Sequence, residues 1–165
     1  MTPAFPLKSA TELMDASFDA RWMERARIEP AARATLQAIL DSFVADGGPV
    51  PIASLGNDAA VAELDERDLI YVVDDRVMLA YPFAGTATDF VTELPGGRER
   101  WACCAIDALS IAAFLKQPVT VRSRCHHCGD GFALEVTPEG PVGGDSLMAW
   151  VGERHDLRGK ACTSL

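Results

Sequence analysis

The sequence lacks the features that mark a secreted or membrane protein. Its first fifteen residues have neither the basic start nor the apolar run of a secretory signal, and no later stretch approaches the roughly 18 apolar residues of a membrane span. Basic residues are also scarce, because 15 Lys and Arg stand against 24 Asp and Glu, for a net charge of -9. We therefore expect a cytoplasmic protein that binds neither membranes nor nucleic acids.

Cysteines are few, and their number is odd. Five cysteines cannot all pair, and a reducing compartment disfavours disulfides, so metal binding, thiol chemistry or plain burial is expected instead. The chain of 165 residues is 48% hydrophobic, which is enough for the core of one domain or of two small ones.

The first half of the sequence has the pattern of a helical unit. Residues 11–44 carry apolar side chains at helical spacings of three and four, and Gly47 and Gly48 then end the run. Two shorter helices are predicted at 51–55 and 58–64, the second with Asp58 as its N-cap.

A predicted hairpin follows these helices. Its two β-rich runs, 69–73 and 77–81, are separated by Asp74-Asp75-Arg76. Three helices and a hairpin are typical of a winged helix, a fold that often binds DNA. Residues 1–83, however, hold 14 acidic against 7 basic side chains, so a scaffold role is favoured over DNA binding.

The pattern changes after a stretch rich in proline and glycine at 82–97, which predicts a boundary between domains 1–83 and 84–165. We predict an α+β fold, with a winged-helix-like helical unit followed by a small α/β core that has a mixed or antiparallel sheet. The elements predicted for the core are a helix at 101–115, strands at 119–121, 132–136 and 146–151, and a turn at 137–140.

An apolar run that contains one carboxylate is the first candidate site. Asp107 follows Cys103 by four residues and Cys104 by three, so on a helix either thiol shares a face with the carboxyl group. An apolar environment raises a carboxyl pKa and would let Asp107 hold and donate a proton. The alternative is that two small buried cysteines lie beside a capping or salt-bridged aspartate.

The second candidate site is Cys125-His126-His127-Cys128, a C-x-x-C pair with histidines between the thiols. Zinc and copper are the candidate ions, but one such pair supplies only half of a tetrahedral site. The missing ligands would come from other cysteines or from His155. A redox pair and a turn with incidental thiols are the alternatives, and the glycines that follow favour a turn between strands.

The last cysteine, Cys162, lies three residues from the end of the sequence. Its tetrapeptide lacks the aliphatic residues of a prenylation signal. Arg158 and Lys160 would favour its thiolate if they lie close to it.

The residues of the first candidate site resemble those of a known family. The run from Cys104 to Leu109, preceded by Trp101, resembles the Trp-Cys-Ala-Leu-Asp-Thr-Leu segment of organomercurial (alkylmercury) lyases. Residues 89–94 resemble the strand that leads into it, and residues 119–138 resemble the family's strand, Cys-x-x-x-Gly turn and returning strand. The residues ahead of Cys162 are similar to the approach to the family's second active-site cysteine. The resemblance is to a short, C-terminally truncated member, in which Cys103 occupies the usual place of a tryptophan.

The resemblance implies a reaction and a site. Cys104 and Cys162 match the two mercury-binding cysteines and Asp107 matches the proton donor, so the chain is expected to release a hydrocarbon and Hg(II) from organomercurials. Soft mercury prefers thiolates, and a developing carbanion needs an acid beside it. No organic cofactor is implied, and Hg(II) stays as bound product. Cellular thiols or a mercuric reductase are the implied acceptors.

Two other functions remain open at the level of the sequence. One is a lyase-like protein that binds Hg, Cu or Zn without cleavage, with Cys103, Cys125 and Cys128 as further metal ligands. The other is a metal-responsive winged-helix regulator.

Overall fold

The computed structural model describes residues 27–149 of the 165-residue chain. This part of the chain is a mixed α+β structure, as predicted. Its helices are α1 (Pro30–Asp46), α2 (Asp58–Glu66) and α3 (Ala105–Leu115), with a 3-10 turn at Ile52–Ser54. Its strands are β1 (Val50–Pro51), β2 (Ile70–Val73), β3 (Arg76–Ala80), β4 (Phe83–Ala84), β5 (Val91–Leu94), β6 (Arg98–Ala102), β7 (Val119–Arg124), β8 (Gly131–Thr137) and β9 (Gly140–Pro141).

One antiparallel sheet joins all the described strands. Their order is β1-β3-β4-β6-β5-β7-β8-β9, with β2 also paired to β3. Strand β4 pairs with β3 on one side and β6 on the other, so hydrogen bonding continues across the predicted boundary at residue 83. The division into two domains stays a prediction. The described residues do not show a winged-helix unit, although two of its helices and its hairpin are present.

The ends of helix α1 follow from local sequence. Pro30 occupies the first turn, where a missing N–H costs nothing. Gly47 ends the helix as predicted, with φ of 93° in the left-handed region that glycine tolerates. Gly48 also has a positive φ of 62°, and a Cβ there would lie 2.5 Å from the ring of Phe43. A side chain at residue 48 therefore conflicts with the core.

Two details of the next segment correct the sequence prediction. The predicted helix at 51–55 is only the 3-10 turn Ile52–Ser54. Helix α2 is capped by Asn57, whose side chain accepts a hydrogen bond from the amide of Ala60 at 3.1 Å. Asp58 lies one residue later, in the first turn, where its negative charge interacts favourably with the positive end of the helix dipole.

A buried arginine fixes the C-terminal end of α1 to the sheet. Arg100 of β6 is 9% exposed, and its guanidinium donates to the carbonyls of Phe43 at 2.7 Å, Val44 at 2.7 Å and Ala45 at 2.6 Å. Helix ends leave such carbonyls without partners inside the helix. Desolvation of the guanidinium lowers the pKa of Arg100.

Three aromatic rings connect α1 to α3 through the sheet. The ring of Phe83 on β4 stacks on Phe43 of α1 at 6.3 Å between centroids, and it meets Phe114 of α3 edge-on at 5.8 Å. Phe43 and Phe83 are fully buried. Such pairs add about 0.5–1.5 kcal/mol each beyond the area they bury.

The second half of the described chain also confirms some predictions and corrects others. The strands near 119–121 and 132–136 and the turn at 137–140 are present. The predicted helix at 101–115 is wrong in its first residues, because Trp101 and Ala102 belong to β6, where Trp101 pairs with Val91. Residues 146–149 form no strand, and the rest of that prediction lies outside the described residues. Within 27–149, no helix is long and apolar enough to cross a membrane.

Candidate functional site

The first candidate site lies where β6 gives way to α3. Helix α3 packs on one face of the sheet through Ala108, Ile111 and Ala112, all fully buried. Cys104 is the N-cap residue of this helix, with an extended backbone, and Asp107 lies in its first turn. The sequence AIDALSIAAFL is apolar enough to bury such a helix, so the thiol and the carboxyl group come to lie on its half-buried first turn.

The backbone before the helix is anchored on both sides. The hydroxyl of Thr88 donates to the carbonyl of Ala102 at 2.7 Å and accepts from the amide of Phe90 at 3.2 Å. The amide of Cys103 donates to the carbonyl of Pro82 at 3.3 Å. These bonds fix the path of the chain just before Cys104, so Thr88 acts as a positioning residue.

The thiol of Cys104 and the carboxyl group of Asp107 are in contact. Burial raises the pKa of Cys104 to about 11, with the negative charge of Asp107 as the next cause and a hydrogen bond between the two side chains acting in the same direction. The amides of Asp107 and Ile106 near the sulfur lower that pKa by less, although the thiol makes no regular cap hydrogen bond. At Cys104, burial and the charge of Asp107 therefore outweigh the lowering of the thiol pKa that a helix N-terminus usually gives.

Asp107 is shifted in the direction that suits a proton donor. Burial raises the pKa of its carboxyl group, and hydrogen bonds from the thiol and the amide of Cys104 lower it by less. A carboxyl group with a raised pKa more readily holds a proton near neutral pH. The pair can thus exchange one proton between sulfur and oxygen.

The second candidate site is the turn between β7 and β8, as the glycine pattern predicted. The amide of Cys125 donates to the carbonyl of Asp130 at 2.8 Å, and the amide of Gly129 donates to the carbonyl of Cys125 at 2.8 Å. The thiol of Cys128 lies 3.2 Å from Oδ2 of Asp130. Hydrogen bonds from the amides of Cys128 and His127 lower the pKa of Cys125.

The structure thus groups the predicted residues into two pairs. Cys104 and Asp107 are together, with Cys103 next to them in the chain, and Cys125 is together with Cys128. In the part of the chain that the structure describes, no three His, Cys, Asp or Glu residues are arranged to hold one metal ion. Cys162 and His155 lie outside the described residues, so the assigned roles in the site stay predictions.

Sequence reasoning missed two contributors to the site. The role of Cys104 as a helix N-cap had no signal, since cysteine is not among the usual capping residues. The anchoring by Thr88 depends on a hydrogen bond between residues 14 positions apart, to Ala102, which no local pattern encodes.

The described residues thus form an antiparallel α+β fold that carries a thiol and a carboxyl group at the start of a buried helix. Thiolates are the ligands that soft metals prefer. The family model of alkylmercury lyase matches residues 83–164, about half of the chain. Through these residues the chain belongs to the alkylmercury lyase family, as its motifs predicted.

A solved structure shares the fold. It is the crystal structure of the mercury-bound form of MerB2, with a TM-score of 0.62 and 24% sequence identity. The match covers 76% of the present chain and 65% of MerB2, which is less than two thirds of that protein. No curated protein matches the sequence.

Proposed function

We propose that the chain cleaves carbon–mercury bonds in organomercurials. Family membership supports this function, and the single observation that carries it is the contact between the Cys104 thiol and the Asp107 carboxyl group, both with raised pKa values. The described elements before residue 83, which we assign to a winged-helix-like unit, serve as a scaffold.

The reaction begins when the sulfur of Cys104 displaces a thiol ligand from R–Hg. Its pKa of about 11 means that the thiol holds its proton at neutral pH, and the adjacent carboxylate of Asp107 accepts that proton as the Hg–S bond forms. The thiolate of Cys162 then adds to mercury as the second sulfur ligand.

The same proton completes the cleavage. The electron pair of the C–Hg bond stays on carbon and forms a C–H bond with the proton of Asp107, which releases R–H. Asp107 is left as a carboxylate, and Hg(II) remains on two sulfurs. External thiols or a mercuric reductase take the metal away.

The test is incubation of the reduced protein with phenylmercury and excess thiol, with benzene followed by gas chromatography. We expect repeated turnover that is lost in Cys104→Ser and Asp107→Asn, while Asp107→Asn still binds mercury. Glu93→Gln makes the same kind of change at an exposed carboxyl group of β5 and is the matched control. Retained turnover in Asp107→Asn would contradict the assigned role.

A second function, mercury binding without cleavage, is favoured by one observation. A thiol with a pKa of about 11 is a weak nucleophile at neutral pH because little of it is ionised. This function predicts stoichiometric retention of phenylmercury or Hg(II) with no benzene at any time.

A further inference from the structure

The Cys125–Cys128 turn stands on a regular hairpin and is closed by backbone bonds. Strands β7 and β8 pair without interruption from Val119 and Val136 to Arg124 and Gly131. The bonds described above close the turn beyond that last pair, and Gly129 supplies the left-handed φ of 77° that it needs. The two thiols are therefore held by a defined backbone and do not lie on a loose loop.

Both cysteines lie on one closed turn, which spans residues 125–130. The thiol of Cys128 donates to Oδ2 of Asp130 at 3.2 Å, and the amides of Cys128 and His127 lower the pKa of Cys125. Cys128 is exposed and Cys125 half-buried, so both can be reached from solvent. Two sulfur ligands are thus carried by one closed turn at the surface.

The number of ligands selects the kind of ion. A structural zinc site needs four ligands, whereas residues 27–149 contain no group of three or more potential ligands. Two thiolates alone suit soft cations that accept two sulfur ligands, of which Hg(II) and Cu(I) are the examples.

The register of the sheet places this turn at the same edge as Cys104. Val91 of β5 pairs with Trp101 of β6 on one side and with Arg122 of β7 on the other. Cys104 lies three residues beyond Trp101, and Cys125 lies three residues beyond Arg122. Because β5 alone separates these two strands, they are two strand spacings apart, or roughly 10 Å.

We propose that Cys125 and Cys128 form a second, two-coordinate thiolate site that receives Hg(II) from Cys104 and its partner thiolate and presents it to external thiols. The receiving role rests on the proposed lyase function, but metal binding by the pair does not. Each new Hg–S bond replaces one at the first site, and the proton of the incoming thiol goes to the departing sulfur. Mercury remains Hg(II) throughout.

Binding is tested in the reduced 165-residue chain with Cys103, Cys104 and Cys162 changed to Ser, which leaves only the proposed pair of thiols. Titration with Hg(II) supplied as its glutathione complex, followed by Hg–thiolate absorption and native mass spectrometry, should give one ion per chain. Cu(I) should give the same ratio, and Zn(II) should not bind. The further change Cys125→Ser should remove binding, whereas His126→Ala with His127→Ala should keep it. Failure to bind Hg(II), one ion per two chains, or equal binding of Zn(II) overturns the proposal.

The receiving role is tested in the otherwise unchanged chain with Cys125→Ser and Cys128→Ser. We expect the rate at which Hg(II) reaches an external chelating thiol to fall at least several-fold relative to the rate of benzene release. The double histidine variant is again the control, and circular dichroism checks the fold. If the ratio of the Hg(II) transfer rate to the benzene release rate is the same as in the unchanged chain, the transfer role is overturned. Absence of benzene in the wild type would instead refute the lyase function, while the binding test stays decisive for the pair.

Discussion

The contact between Asp107 and Cys104 makes the pKa of the thiol depend on the carboxylate. Replacing Asp107 by Asn removes the negative charge, the second largest cause of the shift to about 11, but leaves the burial of the sulfur in place. We therefore expect the pKa of Cys104 in Asp107→Asn to fall to a value between the ordinary 9.0 and about 11.

The effect is large enough to measure. A thiol with a pKa near 11 is about 1% ionised at pH 9, and a fall of one unit in its pKa raises that fraction to about 9%. The alkylation rate by iodoacetamide follows the thiolate fraction, so its pH profile reports the pKa. The assay is done with Cys103→Ser in the background, since the adjacent thiol lies on the same peptide, and peptide mass spectrometry reads Cys104.

A matched carboxylate variant separates local from general effects. Asp130 contacts Cys128 and raises the pKa of Cys125 by its charge, so Asp130→Asn should alter the profiles of those two thiols and leave that of Cys104 in place. The reasoning is refuted if Asp107→Asn leaves the Cys104 profile unchanged or moves it to higher pH.

Three further predictions concern stability, measured by urea unfolding. Burial raises the pKa of Asp107 in the folded state, so the folded chain binds the proton more tightly than the unfolded chain does. The contribution of Asp107 to the free energy of unfolding is therefore lost as pH rises from near 4 through the raised pKa. The stability of Asp107→Asn relative to wild type should increase over that pH window, and a difference that does not change with pH would contradict the shift. Arg100→Met should destabilise the chain by about 3–5 kcal/mol, since three carbonyls lose a charged donor, whereas the exposed Arg98→Met should have little effect; equal effects of the two variants would be evidence against the buried cap. Gly48→Ala should cost about 1–3 kcal/mol, because its Cβ would meet the ring of Phe43 at 2.5 Å, while a wild-type midpoint would mean that the ring moves freely.

Local signals in the sequence predicted the elements that local interactions determine. The end of α1 at Gly47, the hairpin turn at 74–75 and the turn before Gly131 each depend on glycine or on a short polar segment, and all were predicted. The sequence pattern places Trp101 and Ala102 in a helix, but a short apolar run is equally compatible with a buried strand. Pairing with Val91, ten residues away, decides in favour of the strand.

The spacing of residues in the sequence predicted only part of the candidate site. A separation of three residues places Cys104 and Asp107 on one helical turn, and the structure has them in contact. That the helix begins just after Cys104 was not predicted, because the chain before it is fixed by two long-range hydrogen bonds. The Thr88 hydroxyl donates to the carbonyl of Ala102, and the amide of Cys103 donates to the carbonyl of Pro82. The pKa shifts depend on burial by the folded sheet, which no spacing reveals.

The ring of Phe83 limits how this fold can be recombined. It touches Phe43 on one side and Phe114, on the helix that Cys104 begins, on the other. The family segment starts at this very residue. A segment transplanted from residue 83 onward would carry Phe83 without the Phe43 ring on which it stacks, so exchange between homologues requires a matching aromatic near the end of the recipient's α1.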